Sequence, residues 1–140
     1  MKVERITPIE WTKFGAEAHL VCFGEKRDTQ LDRIDFALLA ADEKPLAYMT
    51  CKELDGESIY LQYGGAFPSA KDTFLAFKSY AAMLNRLKEM GYKRAGTYIE
   101  NKNKVMLKFA MKAGWLITGV RTFEGDVLLE HQMNFSDMEV

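Results

Sequence analysis

The sequence predicts an α+β domain: a mostly antiparallel sheet with one parallel pair of strands inside it and helices over its faces. Three observations carry this. Between residues 34 and 63, short apolar runs alternate with tight-turn signals, the pattern of an antiparallel meander. From residue 74 to residue 90 the apolar period becomes helical. A strand pattern at 94–100 follows that helix, and a strand–helix–strand crossover makes its two strands parallel.

Each element has a local reason. Residues 3–7 read as a first strand. Thr7-Pro8-Ile9-Glu10 is a helix start: the threonine accepts from an orphan N–H, proline suits the first helical position, and the glutamate reaches back. The helix sets Trp11, Phe14, Ala18 and Val21 on one side. Residues 24–33 are polar and read as loop. Residues 34–41 form a second strand, Asp42-Glu43-Lys44-Pro45 a turn, 46–54 a third strand, Asp55-Gly56 a hairpin turn and 57–63 a fourth strand. Ser69 and Asp72 have capping-box spacing. The helix at 74–90 places Phe74, Phe77, Ala81 and Leu84 on one face, with Tyr80 and Leu87 beside it, and Gly91 closes it. After the strand at 94–100 come a shorter helix at 101–113 closed by Gly114, a strand at 115–122, a hairpin loop at 123–126 and a last strand at 127–134. The order is β-α-βββ-α-β-α-ββ, read as one domain over residues 1–140.

Composition narrows the function classes. With 19 basic and 20 acidic residues the net charge is −1, which disfavours a strongly cationic nucleic-acid binder. Lys102, Lys104, Lys108 and Lys112 repeat at helical spacing and read first as a solvated face; a phosphate or nucleic-acid patch is the alternative. The longest apolar run, Phe36–Ala41, is too short to cross a bilayer, and the opening MKVERITP lacks the apolar core of a signal peptide. Cys22 and Cys51 are too few for a disulfide framework or a cysteine zinc site, and Cys22 reads as packing. His19 and His131 join no cluster with metal-ligand spacing, so no metal is expected. These features predict a reduced, cytoplasmic protein.

Several short motifs then fall in a fixed order. Ala66-Phe67-Pro68 follows the fourth strand. Lys71-Asp72-Thr73-Phe74-Leu75-Ala76 begins three residues after that proline. Gly91 ends the long helix, Ile99 and Asn103 are four apart, and Phe109-Ala110-Met111-Lys112-Ala113-Gly114-Trp115 ends the short helix. In these motifs and in element order the chain resembles the GNAT acyltransferase superfamily, whose members move an acyl group from coenzyme A to an amine. The resemblance implies a GNAT-like fold, an N-acyltransferase activity and acetyl-CoA as co-substrate. Its acceptor is then a small-molecule or protein amine, and a homodimer through the last strands is in keeping with the family.

The resemblance also assigns a site, and physical chemistry says why the residues suit it. A helix start offers unpaired N–H groups and a partial positive charge, so Lys71, Asp72, Thr73, Phe74, Leu75 and Ala76 are the expected pyrophosphate cradle. Gly64-Gly65 suits a bulge that splays the fourth strand from its parallel neighbour. The pantetheine arm then pairs with backbone at Ala66 and Phe67 like an added strand, with Asn103 on the other side. The same backbone N–H groups are the expected oxyanion donors. Glu100, or a water, is the expected base, and Tyr63 and Tyr98 are possible hydroxyl donors. Glu53 and Glu57 read as solvated hairpin charges. The acceptor pocket falls to the first helix, the loop at 24–33 and the last hairpin, with Glu25, Asp28 and Asp32 as acidic candidates.

Two departures stand on functional positions. Phe74 replaces the first loop glycine, and its period turns the ring into the core. Ala110 replaces the tyrosine that protonates the leaving thiolate in many members; a thiol of pKa about 8.5 still leaves without an acid. The competing class is a non-catalytic GNAT-like binding protein, and a third is a nucleic-acid-associated protein using the lysine face.

Overall fold

The computed structural model describes residues 1–24, 34–71 and 73–140. Its elements are β1 (Lys2–Ile6), α1 (Pro8–Phe23), β2 (Phe36–Ala41), β3 (Pro45–Asp55), β4 (Ser58–Ala66), α2 (Phe74–Glu89), β5 (Arg94–Glu100), α3 (Lys104–Ala113), β6 (Leu116–Phe123) and β7 (Asp126–Asn134), then a 3-10 turn at Phe135–Asp137. The order of elements is the one the sequence predicts. The strands form one seven-stranded sheet in the order β1-β2-β3-β4-β5-β7-β6. Every neighbouring pair is antiparallel except β4 and β5. This mixed α+β arrangement is the expected fold class.

Local chemistry starts and stops the helices as expected, with two shifts. The Thr7 hydroxyl accepts from Glu10 N–H at 3.2 Å, Pro8 opens α1, and Gly24 closes it at φ 77°. Gly114 closes α3 at φ 100°, a backbone region that costs glycine nothing. The long helix is capped by Thr73, not by Ser69; the Ser69 hydroxyl donates instead to the Pro45 carbonyl at 2.5 Å. α3 begins at Lys104 because the Asn103 side chain caps it, accepting from Met106 N–H at 3.3 Å.

The two helix faces are rotated from their expected positions. In α1, Trp11, Ala18, His19 and Cys22 are buried, and Val21 is 51% exposed. The Phe14 side chain lies outside the described part of the structure. The reason is Gly65: a Cβ there would lie 2.9 Å from both Cys22 Cβ and Phe23 Cε2 and 2.8 Å from Tyr48 Cε1. The absent side chain lets α1 settle onto β4 through its Cys22 edge. In α2 the buried face is Ala76, Ser79, Tyr80, Met83, Leu84 and Leu87, while Phe74 is 73% exposed. Ser79 can sit inside because its hydroxyl donates to the Leu75 carbonyl at 2.6 Å. Phe77 is only half-buried, stacked on Phe109 of α3 with ring centroids 5.4 Å apart.

The core lies mainly between the sheet and the pair α2 and α3, and includes Phe36, Leu38, Met49, Ile59, Leu61, Ile99, Met133 and Phe135. A smaller cluster of Ile6, Trp11, Ala18, Cys22, Ala37 and Tyr48 joins α1 to the opposite face. Strand alternation therefore gives the odd residues of β5 to the α2/α3 face, and sets Tyr98 and Glu100 on the α1 face.

Candidate functional site

Two parallel strands part inside the sheet. β4 and β5 pair from Ser58↔Arg94 to Leu61↔Thr97 and no further, although β4 runs on to Ala66 and β5 to Glu100. The cause is on the other side of β4. Thr50 lies opposite Tyr63 and Cys51 opposite Leu61, so Gln62 is an extra residue. Such a bulge bends its strand and increases its twist. The Thr50 hydroxyl bridges the irregularity by accepting from Tyr63 N–H at 3.0 Å. The bulge thus stands at Gln62 and not at Gly64-Gly65, where it was expected. Gly65 serves the approach of α1, and a Cβ on Gly64 would meet only ordinary contacts, 3.5 Å from the Tyr48 carbonyl oxygen and 3.8 Å from Tyr80 Cε1.

A cavity of about 550 Å³ occupies the parting. It reaches both faces of the sheet. Leu61, Tyr80, Ile99, Asn103, Phe109 and Ala110 line it on the α2/α3 side, and Tyr60, Tyr98, Glu100, Arg121, Phe123 and Leu128 on the other. Gln62 lines it at the bulge, and its side-chain oxygen is buried without a hydrogen-bond partner. A buried acceptor left unsatisfied is costly, so one facing a cavity marks where a donor from a ligand belongs.

Backbone groups add to this. Phe67 N–H donates to the Leu46 carbonyl at 3.0 Å, so it points to β3 and is not free for an oxyanion, contrary to expectation. Alternation along the strand then aims the N–H groups of Gly64 and Ala66 at the β5 side, beyond the last β4–β5 pair.

The side chains differ in their commitments. Glu100 is tied to Lys102 at 3.4 Å, and Lys102 also reaches Asp126 at 3.3 Å. Tyr98 donates to Glu130 at 3.1 Å, and the Thr118 hydroxyl donates to the same carboxylate at 2.7 Å. These bonds, Thr118 first, hold the Glu130 carboxyl below its usual range. Burial raises the Tyr60 phenol, with Tyr98 and Tyr63 adding to it and Arg121 opposing. Burial also pushes Tyr80 up to about 12 and Cys22 up to about 11, so both stay protonated at neutral pH and Cys22 is no nucleophile. Tyr63 stands edge-on to His19 with centroids 6.0 Å apart.

Of the site residues singled out in the sequence, the cavity gathers Tyr63, Gly64, Tyr98, Glu100 and Asn103. It does not gather Ala66, Phe67 or the helix start. There Lys71, Thr73, Phe74 and Leu75 are exposed, and Ala76 belongs to the core. The Thr73 hydroxyl already accepts from Leu75 N–H at 3.2 Å, and Ala76 N–H donates to the Thr73 carbonyl at 3.2 Å. Phe74 does not turn inward; its ring stands in solvent with the Lys78 ammonium 5.7 Å from its centroid. Asp72, Glu25, Asp28 and Asp32 lie outside the described residues. Sequence reasoning missed Gln62, Tyr60, Tyr80 and Arg121. Only Arg121 carried a signal, as a lone charge in a β6 run of otherwise uncharged residues.

Among the described residues no group of His, Cys, Asp and Glu is placed to hold a metal, and no helix is long and apolar enough to cross a membrane. No family model and no curated protein matches the chain in sequence. Solved structures match its fold. A ribosomal-protein-S18-alanine N-acetyltransferase from Escherichia coli superposes with TM-score 0.76 at 8% identity, over 96% of this chain and 93% of that one. A GNAT family acetyltransferase from Elizabethkingia anophelis, solved with acetyl-CoA bound, gives 0.74 at 13% identity, over 95% and 97%. The spermidine/spermine N-acetyltransferase of Vibrio cholerae gives 0.73 at 9% identity, over 96% and 95%. The fold is that of the GNAT acetyltransferases.

Proposed function

We propose that this chain, built on the GNAT fold, transfers an acetyl group from acetyl-CoA to an amine by direct attack in a ternary complex. The observation that carries the reading is the parting of β4 from β5 beyond Leu61 and Thr97, with a cavity open to both faces. A thioester arm held there and an amine arriving from the opposite face meet inside the sheet.

The residues present fit the pantetheine end of the coenzyme. The Gly64 and Ala66 edge of β4 is turned to the gap, Asn103 lines its far side, and the orphaned Gln62 oxygen suits an N–H donor. The phosphate end fits less closely, because the Thr73 hydroxyl already caps the start of α2. Phosphate binding there requires the Thr73 side chain to turn aside and leaves the Phe74 and Leu75 N–H groups for the anion, with Lys71 as a point charge, because the Thr73 and Ala76 N–H groups already donate to the Ala70 and Thr73 carbonyls.

In the reaction, Glu100 takes a proton from the acceptor ammonium, directly or through a water. The freed lone pair attacks the thioester carbon, with the Gly64 N–H toward the developing oxyanion and the Ala66 N–H, two residues along the same edge, left to the pantetheine arm. The carbon–sulfur bond breaks, and the proton shed as the amide forms goes to the thiolate. Ala110 offers no hydroxyl for that last step. Tyr80, on the facing helix and lining the same cavity, is a protonated phenol that can donate to the sulfur, and Tyr63 is a second hydroxyl on the wall.

The test is a thermal-shift titration with acetyl-CoA, paired with release of free thiol on adding an amine panel. A ligand at a hundred times its dissociation constant stabilises the folded state by about 2.7 kcal/mol, so millimolar coenzyme should raise Tm measurably. No shift at that concentration sinks the transferase reading. It would favour the non-catalytic binding protein, the class to which the capped start of α2 points.

A further inference from the structure

We infer that the acceptor amine carries a carboxylate of its own, as a free amino acid does, and that Arg121 binds that carboxylate at the mouth of the cavity. This rests on the transferase reading above and names its acceptor class.

The argument begins with register. Glu100 of β5 lies opposite Leu128 of β7, and Leu128 lies opposite Arg121 of β6. Antiparallel partners share a face, so the three form one row across adjacent strands on the face away from α2 and α3. Neighbouring strands are about 4.8 Å apart, which separates the Glu100 and Arg121 backbones by about 10 Å. The row reads acid, apolar, base, and all three residues line the cavity. The spacing of the row's two ends leaves room for a small zwitterion over Leu128, ammonium toward Glu100 and carboxylate toward Arg121.

Arg121 is available for this. Among the described residues it makes no hydrogen bond or ion pair. The carboxylates of this face other than Glu100 are engaged elsewhere, Asp126 by Lys102 and Glu130 by Tyr98, Thr118 and Gln132; Glu100 shares the exposed Lys102 with Asp126, and the ligand's ammonium takes the place of Lys102 on it. Exposed at the cavity mouth with no partner among the described residues, this guanidinium is a fork of donors matched to a carboxylate. An acceptor that was only a polycation would meet repulsion there. Tyr60, Tyr98 and Phe123 line the same mouth, giving flat apolar walls for the body of the ligand.

The test compares free α-amino acids with their primary amides, which keep the amine and lose the negative charge. With acetyl-CoA saturating, thiol release should show a KM for the preferred acid about tenfold or more below that of its amide. Arg121→Gln should raise the KM of the acid by about the same factor and bring acid and amide within about twofold of each other. Arg121→Lys should fall between, as a point charge without the planar fork. The inference is overturned if amides serve as well as acids in the parent protein, or if the gap survives Arg121→Gln. A protein that acetylates nothing leaves a separate readout. Saturation-transfer NMR of the acids with the coenzyme-free protein should show binding that Arg121→Gln abolishes, which sustains the carboxylate site while the transferase reading falls. Absence of binding to the parent protein overturns the site as well.

Discussion

The two ends of β4 obey different rules. From Ser58 to Leu61 the strand is paired on both sides, and Ile59 and Leu61 are buried in the core. From Gln62 to Ala66 it is paired only to β3; it carries a bulge, two adjacent glycines and a buried oxygen with no partner. The first end does what hydrophobic alternation asks of a central strand. The second gives up ladder bonds to β5, and a cavity of about 550 Å³ stands in their place. One inserted residue separates the two regimes, because a bulge reorients everything beyond it.

Removing a core side chain at the paired end should have the largest effect. Ile59→Ala leaves a cavity at a site with 0% exposure and should cost about 2–5 kcal/mol in chemical denaturation. The fold is weakened while the open end is untouched. A smaller loss would mean that the two ends are not energetically distinct.

The glycine pair sharpens the contrast within the open end. Gly65→Ala forces a methyl to within 2.8–2.9 Å of Tyr48, Cys22 and Phe23, and overpacking of this kind costs about 1–3 kcal/mol. Gly64→Ala meets nothing closer than 3.5 Å and should stay within about 0.5 kcal/mol of the parent. Equal effects at the two positions would refute the assignment of Gly65 to the packing of α1.

The smallest change in stability, with the clearest functional reading, belongs to Gln62. Gln62→Met removes a buried acceptor that has no partner, so stability should hold or rise by up to about 1 kcal/mol. Acetyl transfer should fall, through a raised KM for coenzyme or for amine. A variant that loses stability and keeps full turnover would show that Gln62 is structural.

How legible the site was follows from the same division. Tyr98, Glu100 and Asn103 were readable because they sit at the end of β5 and the start of α3, whose positions follow from local pattern; Tyr63 was read as the end of the fourth strand, which in fact runs on to Ala66. Gln62 was not readable. Ile59, Leu61 and Tyr63 look like one unbroken alternation, and only the opposing strand reveals that one residue is supernumerary. Phe74 was misplaced for a related reason. A helical period identifies the helix, but neighbouring faces differ by part of a turn, and the contact with α3 selects between them.

Element type and order, the caps at Thr7 and Gly114, and the parallel crossover were decided by the chain itself, since each depends on residues within a few positions of one another. Which face of each helix turns inward, where β4 leaves β5, and that an arginine on β6 faces the same opening as a glutamate on β5 were decided only by the assembled sheet. Those relations join residues far apart in sequence, and inter-strand register creates them; no local window of sequence contains it.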